Sequence, residues 1–155
     1  MPSHESSSTD QTLALAVSLA HHLRPGDVVA LHGDLGAGKT QFVRGLVAGL
    51  GGNPRQVSSP TFVLLHVYDR PPMRLPVFHL DAYRVTGPAE FETIGFPELL
   101  TQGGVVAVEW PGRIADMLPP TTVHVRLTPT ATTTRRVDID GPPGRSFDLD
   151  PSGAA

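Results

Sequence analysis

The chain has 155 residues, a formal net charge of −3, 39 % hydrophobic and 17 % charged residues, and no cysteine. That length suits one domain with a buried core. The acidic balance excludes a basic surface able to grip a nucleic-acid backbone unaided, and the lack of cysteine excludes disulfides and thiol catalysis.

Residues 1–8 are polar and predict a flexible lead. Thr9 or Asp10 is the expected N-cap of a helix running to Leu23, with Leu13 and Val17 at helical spacing. Pro25-Gly26 marks a turn, and Asp27–His32 reads as a short apolar strand. Gly33-Asp34-Leu35-Gly36-Ala37-Gly38-Lys39-Thr40 follows at once. Thr40–Leu50 then places Phe42, Val43, Leu46, Val47 and Leu50 on one helical face, stopped by Gly51-Gly52-Asn53-Pro54.

Ser58–Thr61 is a loop signal before a strand over Phe62–Tyr68, which ends at Arg70-Pro71-Pro72. Leu75–Leu80 is a further strand closed by Asp81, and short helices are expected over Pro88–Thr93 and Phe96–Leu100. Val105–Val108 is a continuous apolar run, the mark of a strand buried on both faces, with Glu109-Trp110-Pro111 directly after it. Thr121–Leu127 and Thr133–Ile139 alternate like antiparallel strands, and residues 141–155 are expected to form a flexible tail. The domain proper is thus residues 9–140.

One lysine stands among eleven arginines, and it is Lys39. It lies in a stretch that fits G-x-x-x-x-G-K-[ST], the phosphate-binding P-loop, in the required strand–loop–helix context. Backbone N–H groups of such a loop turn around phosphate oxygens, the lysine reaches the β- and γ-phosphates, and the threonine hydroxyl ligates Mg²⁺. A forked guanidinium does not replace that compact charge. Hydrolysis also needs a carboxylate near the metal and a group that positions water; Asp81 and Glu109 each end a strand, where α/β sheets carry such groups. Either is a Walker-B-type acid or a turn former. Asp34 is a phosphate neighbour or a turn residue, and Thr61 a γ-phosphate contact or a plain loop residue. His79 and Trp110 read as structural, and Arg84 as either a phosphate or partner contact or a surface charge. No N-K-x-D element is present and no D-x-x-G switch follows the second acid-ended strand, which favours ATP over GTP by exclusion.

These residues carry a resemblance to the TsaE (YjeE) family, small P-loop ATPases of tRNA threonylcarbamoyladenosine biosynthesis. Besides the P-loop with its Asp-Leu insertion, Ser59-Pro60-Thr61-Phe62 matches the family's S-P-T-[FY] loop. His79-Leu80-Asp81-Ala82-Tyr83-Arg84 is similar to its H-x-D-L-Y-R segment, with Ala82 in place of leucine, and Val108-Glu109-Trp110-Pro111 matches its acid-Trp-Pro strand end. The resemblance spans Thr9–Ile139.

It implies an αβα sandwich around a mainly parallel sheet with antiparallel C-terminal strands. It implies ATP/ADP and Mg²⁺ as cofactors, with weak hydrolysis by the chain alone. It also implies TsaD and TsaB homologues as partners, with tRNA met only through that complex. Lys39 would then hold the β/γ-phosphates within a cradle of Asp34, Gly36, Ala37, Gly38, Thr40 and Gln41. Thr40, Glu109 and Asp81 would be the metal-side groups, Lys39, Asp81 and Glu109 the catalytic ones, and Thr61 the sensor of the γ-phosphate. Two other readings remain: a small-metabolite kinase, with Arg70 and Arg74 on a mobile lid, and a non-hydrolysing ATP-dependent adaptor. No apolar run approaches the roughly 18 residues a membrane helix needs and no leader peptide is recognisable, so a soluble cytoplasmic protein is expected.

Overall fold

A computed structural model describes residues 3–34, 36–58, 65–83, 88–93 and 95–150. Ser59, Pro60, Thr61 and Phe62 of the second motif, and Arg84 of the third, lie outside the described residues. The strands are β1 (Ser3–Ser6), β2 (Val28–His32), β3 (Leu65–Tyr68), β4 (Val77–Asp81), β5 (Val105–Glu109), β6 (Val123–Pro129) and β7 (Arg135–Asp140). The helices are α1 (Thr9–Ala20), α2 (Lys39–Gly49), α3 (Pro88–Thr93) and α4 (Phe96–Leu99), with 3₁₀ turns at Pro54–Gln56 and Pro111–Met117.

The strands form one sheet in the order β1-β7-β6-β2-β5-β4-β3. Its centre is parallel: β2 lies between β6 and β5, and β4 runs beside β5. The flanks are antiparallel, β3 on β4 at one edge and β7 then β1 at the other. The alternating C-terminal strands β6 and β7 are antiparallel to each other as expected, and β6 also joins the parallel centre. Every residue of β4 and of β5 is buried, as expected for strands covered on both faces.

Two apolar clusters flank the sheet. One joins α1 and α2 to residues such as Leu31, Val125 and Val137; the other joins Phe91, Phe96 and Ile114 to Leu80 and Val108. This is the αβα sandwich. The α1–α2 contact is unusually close because it is made of small residues. A Cβ added at Gly49 would lie 2.6 Å from Ala20 Cβ and 2.7 Å from Val17 O, and Gly45 faces Ala16 and the Leu13 carbonyl in the same way.

Both chain ends differ from the expectation of loose segments. Ser3–Ser6 adds a strand to β7, with Ser6 paired to Arg135. The buried Ser6 hydroxyl bonds the Thr12 hydroxyl at 2.7 Å. Ser8, not Thr9 or Asp10, caps α1: its Oγ accepts the Gln11 N–H at 3.1 Å. At the other end Phe147 and Leu149 are buried, and Arg145 forms a bidentate pair with Asp27 at 2.7 Å to each oxygen. Polar composition hid these contacts, and the pairings of Ser6 with Arg135 and Arg145 with Asp27 join partners far apart in sequence.

Candidate functional site

The P-loop leaves β2 at Gly33 and enters α2 at Lys39. Gly38 caps α2 with φ +104° and ψ 18°, a left-handed conformation that costs glycine nothing and aims successive N–H groups into the loop. Parallel pairing does the rest. β5 pairs with both β2 and β4, and Asp81 lies opposite Glu109 in register. Both acids therefore arrive at the carboxyl edge of the sheet, beside the loop.

They meet in a cavity of about 300 Å³ lined by Gly36–Gln41, Asp81, Glu109, Trp110, Thr9 and Arg135. The sequence-derived set Gly36, Ala37, Gly38, Lys39, Thr40, Gln41, Asp81 and Glu109 is thus brought together. Asp34 is exposed and contributes its carbonyl to Lys39 rather than lining this cavity. A larger hollow of about 540 Å³ lies across Trp110, bounded by His32, Arg113, Arg126 and Thr128. It holds only Gly33 and Asp34 of the loop and neither acid, so the phosphate chemistry belongs to the smaller cavity.

Within it Lys39 Nζ donates to the carbonyls of Gly33 and Asp34 and stands 3.5 Å from the centre of the Trp110 ring. Burial lowers its pKa from the ordinary lysine value, against the opposing pull of Glu109, Asp81 and Asp34. Thr40 Oγ1 donates to Glu109 Oε2 at 3.3 Å, and His79 Nε2 donates to the same oxygen at 2.6 Å. Asp81 Oδ1 accepts the Tyr83 N–H at 2.7 Å; burial raises its pKa, partly offset by that bond, with the Glu109 charge adding to the rise.

Asp81 and Glu109 are each 4 % exposed. Buried carboxylates beside a threonine hydroxyl are hard oxygen donors of the kind Mg²⁺ prefers. Among the described residues no three His, Cys, Asp or Glu groups are placed to cage a metal. The donors present therefore suit an ion completed by phosphate and water oxygens.

Three residues here were not assigned to the site from sequence. Trp110, read as packing, adopts φ 56° and ψ 53°, a left-handed conformation that costs a bulky residue about 1–3 kcal/mol. That conformation turns its ring over Lys39, and Tyr83 packs on it at 5.0 Å between centroids. Arg135 carried no motif. Its guanidinium lies against Gly38, where an added Cβ would be 2.6 Å from Nη1, and its buried Nε has no hydrogen-bond partner among the described residues. Thr9, weighed only as a cap, opens α1 at the cavity wall. The two proposed lid arginines are elsewhere. Arg74 donates to the Ala20 and Leu23 carbonyls at 2.8 and 3.2 Å, closing the end of α1, and Arg70 lies beside Gly51, past the end of α2.

A family model described as threonylcarbamoyl adenosine biosynthesis protein TsaE matches residues 6–137. The chain belongs to the TsaE family. Among its relatives, the tRNA threonylcarbamoyladenosine biosynthesis protein TsaE of Rickettsia prowazekii is 38 % identical over 124 residues, covering 80 % of this chain and 84 % of that one. The protein of the same name from Bacillus subtilis is 43 % identical over 110 residues, 71 % of this chain and 66 % of that one. A crystal structure of Bacillus subtilis YdiB superposes with a TM-score of 0.74 at 29 % identity, covering 90 % of this chain and 84 % of that one. The mainly parallel sheet with antiparallel flanks is thus the fold of a TsaE-type protein, and the P-loop is that family's nucleotide loop.

Proposed function

We propose that this chain is the ATP-binding and ATP-hydrolysing component of tRNA N6-threonylcarbamoyladenosine biosynthesis, acting in the cytoplasm with homologues of TsaB and TsaD. The observation that supports it best is the meeting of Thr40 with Glu109, 3.3 Å apart, in a cavity that also holds Lys39 and Asp81. Family membership and the names of the relatives supply the pathway.

The residues take these parts. Amides of Gly36–Thr40 cradle the phosphates. Lys39 leaves its carbonyl acceptors for the β- and γ-phosphates, and Arg135, packed on Gly38 with a spare Nε–H, adds a second cation from β7. Thr40 and Glu109 would hold Mg²⁺, and that ion would supply charge neutralisation at the phosphate oxygens. Asp81 stands one strand away and orients the attacking water. Thr61 senses the γ-phosphate. Gln41 lies at the start of α2, with its side-chain oxygen bonded by Arg44 at 3.1 Å. With a formal net charge of −3, the chain meets tRNA through its partners rather than by its own charge.

Phosphate release from ATP–Mg²⁺, measured for the chain alone and with the TsaB and TsaD homologues of its own organism, tests this. Slow turnover that rises with the partners and vanishes in Lys39→Ala is expected. Turnover indifferent to them would point to a kinase, and no turnover in either case to an adaptor. The placement of Arg70 and Arg74 past the far ends of α2 and α1 speaks against the kinase.

A further inference from the structure

The geometry points to His79 as the positioning residue of this site: it holds the Glu109 carboxylate and ties it, through Tyr68, to the backbone at Ser58. This rests on Glu109 being the metal-side acid proposed above. His79 is 0 % exposed, and its two ring nitrogens face different partners. Nε2 is 2.6 Å from Glu109 Oε2, and Nδ1 is 3.4 Å from the Tyr68 hydroxyl. A carboxylate oxygen accepts, so Nε2 carries the proton; Nδ1 then accepts from the tyrosine O–H. The Tyr68 oxygen in turn receives the Ser58 N–H at 3.4 Å and lies 3.2 Å from His66 Nδ1. The Tyr68 hydroxyl also lies 3.5 Å from the Ser58 carbonyl; with its proton on His79 Nδ1 at 3.4 Å, the bonds run Ser58, Tyr68, His79, Glu109.

A fully buried histidine needs a partner for each ring nitrogen, so the identity of the partners, not their number, marks its role. This one is bonded at both ends, and one end is the oxygen that also takes the Thr40 hydroxyl. Groups that hold a ligating carboxylate from behind fix its orientation, and losing them costs about 10- to 100-fold in metal affinity or activity. Ser58 begins the segment that carries the Ser59-Pro60-Thr61-Phe62 motif. Hydrogen bonds across β3, β4 and β5 thus link Glu109 to the backbone at Ser58. Parallel and antiparallel register makes this possible: His79 lies opposite His66 on one side and Ala107 on the other, two residue pairs in from the edge that holds Asp81 and Glu109.

The first test needs neither nucleotide nor turnover. Side-chain ¹⁵N NMR of the ligand-free protein should show His79 as the Nε2–H tautomer with Nδ1 as acceptor, and Tyr68→Phe should shift the Nδ1 resonance. An Nδ1–H tautomer, or a spectrum blind to Tyr68→Phe, overturns the inference. The second test is Mg²⁺ titration with ATP. His79→Leu should raise the half-saturating Mg²⁺ about tenfold or more while metal-free ADP affinity stays within about twofold. His79→Gln, which keeps a donor at the Nε2 position, should recover most of the loss. Tyr68→Phe, conservative in volume, should raise the Mg²⁺ requirement less and serves where His79→Leu fails to fold. Unchanged Mg²⁺ titrations in both variants overturn the inference. A wild-type chain that hydrolyses no ATP, yet shows the expected tautomer and coupling, instead overturns the functional reading of Glu109 alone.

Discussion

The ammonium of Lys39 stands 3.5 Å above the centre of the Trp110 ring, and it spends its protons on the carbonyls of Gly33 and Asp34. The P-loop cation is thus satisfied by its own chain, with the ring face supplying an attraction of about 0.5–2 kcal/mol. A bound phosphate chain offers charge-assisted acceptors that outcompete both. Trp110 is the sole tryptophan, so its emission should change saturably as ADP or ATP is added. Lys39→Ala should abolish that change and weaken ADP binding by about 10- to 100-fold, the range for losing a hydrogen bond to a charged group. An unaltered emission at saturating nucleotide would mean the ammonium never leaves the ring.

The two acids should separate by what they lose. Glu109 touches the threonine hydroxyl, whereas Asp81 is bonded to the Tyr83 amide. Glu109→Gln is expected to raise the Mg²⁺ needed for half-maximal hydrolysis and to lower kcat. Asp81→Asn should lower kcat by at least about 100-fold, the lower range for a group acting on a proton in flight, at unchanged Mg²⁺ half-saturation. Mg²⁺ titrations of the two variants side by side decide it; a reversed pattern exchanges the roles.

Acid should destabilise the fold through His32. Its Nε2 lies 2.9 Å from His124 Nδ1, and its pKa is pulled down to about 4 by burial first, then by the charges of Arg126 and His124. Between that value and the ordinary 6.5 the unfolded chain binds a proton that the folded one refuses, so stability is full above 6.5 and falls as pH drops toward 4. Melting temperature measured across that window should decline, and His32→Gln should flatten the decline. A parallel decline in the variant would assign the effect to other groups.

The C-terminal docking should contribute measurably to stability. Arg145 and Asp27 have side chains only 12 % and 10 % exposed, and the guanidinium also reaches the His22 carbonyl at 2.8 Å. Arg145→Met leaves a nearly buried carboxylate facing an apolar chain, an expected loss of about 2–3 kcal/mol, somewhat below the range for a fully buried pair. Denaturant unfolding monitors it, and a loss below about 0.5 kcal/mol would show that the pair contributes little.

Local signals made most of this protein legible. The P-loop, the two acid-ended strands and the short helix over Pro88–Thr93 follow from patterns within ten residues, and the structure places them accordingly. Long-range partners account for what was missed. Arg135 reaches Gly38 across most of the chain, and Trp110 gains its position from a backbone conformation that no propensity announces. His79 read as a satisfied core histidine because its spacing showed a face of the strand but not the carboxylate one strand over. The edge strand Ser3–Ser6 is polar, with Ser6 buried and His4 half-buried; alternation with so little apolar content gives no strand signal.

Close packing of α1 on α2, where Gly45 and Gly49 meet Ala16 and Ala20 with no room for a methyl group, fastens the two helices into one stiff jaw. Thr9 and Lys39–Gln41 open those helices, so that whole side of the cavity travels together or not at all.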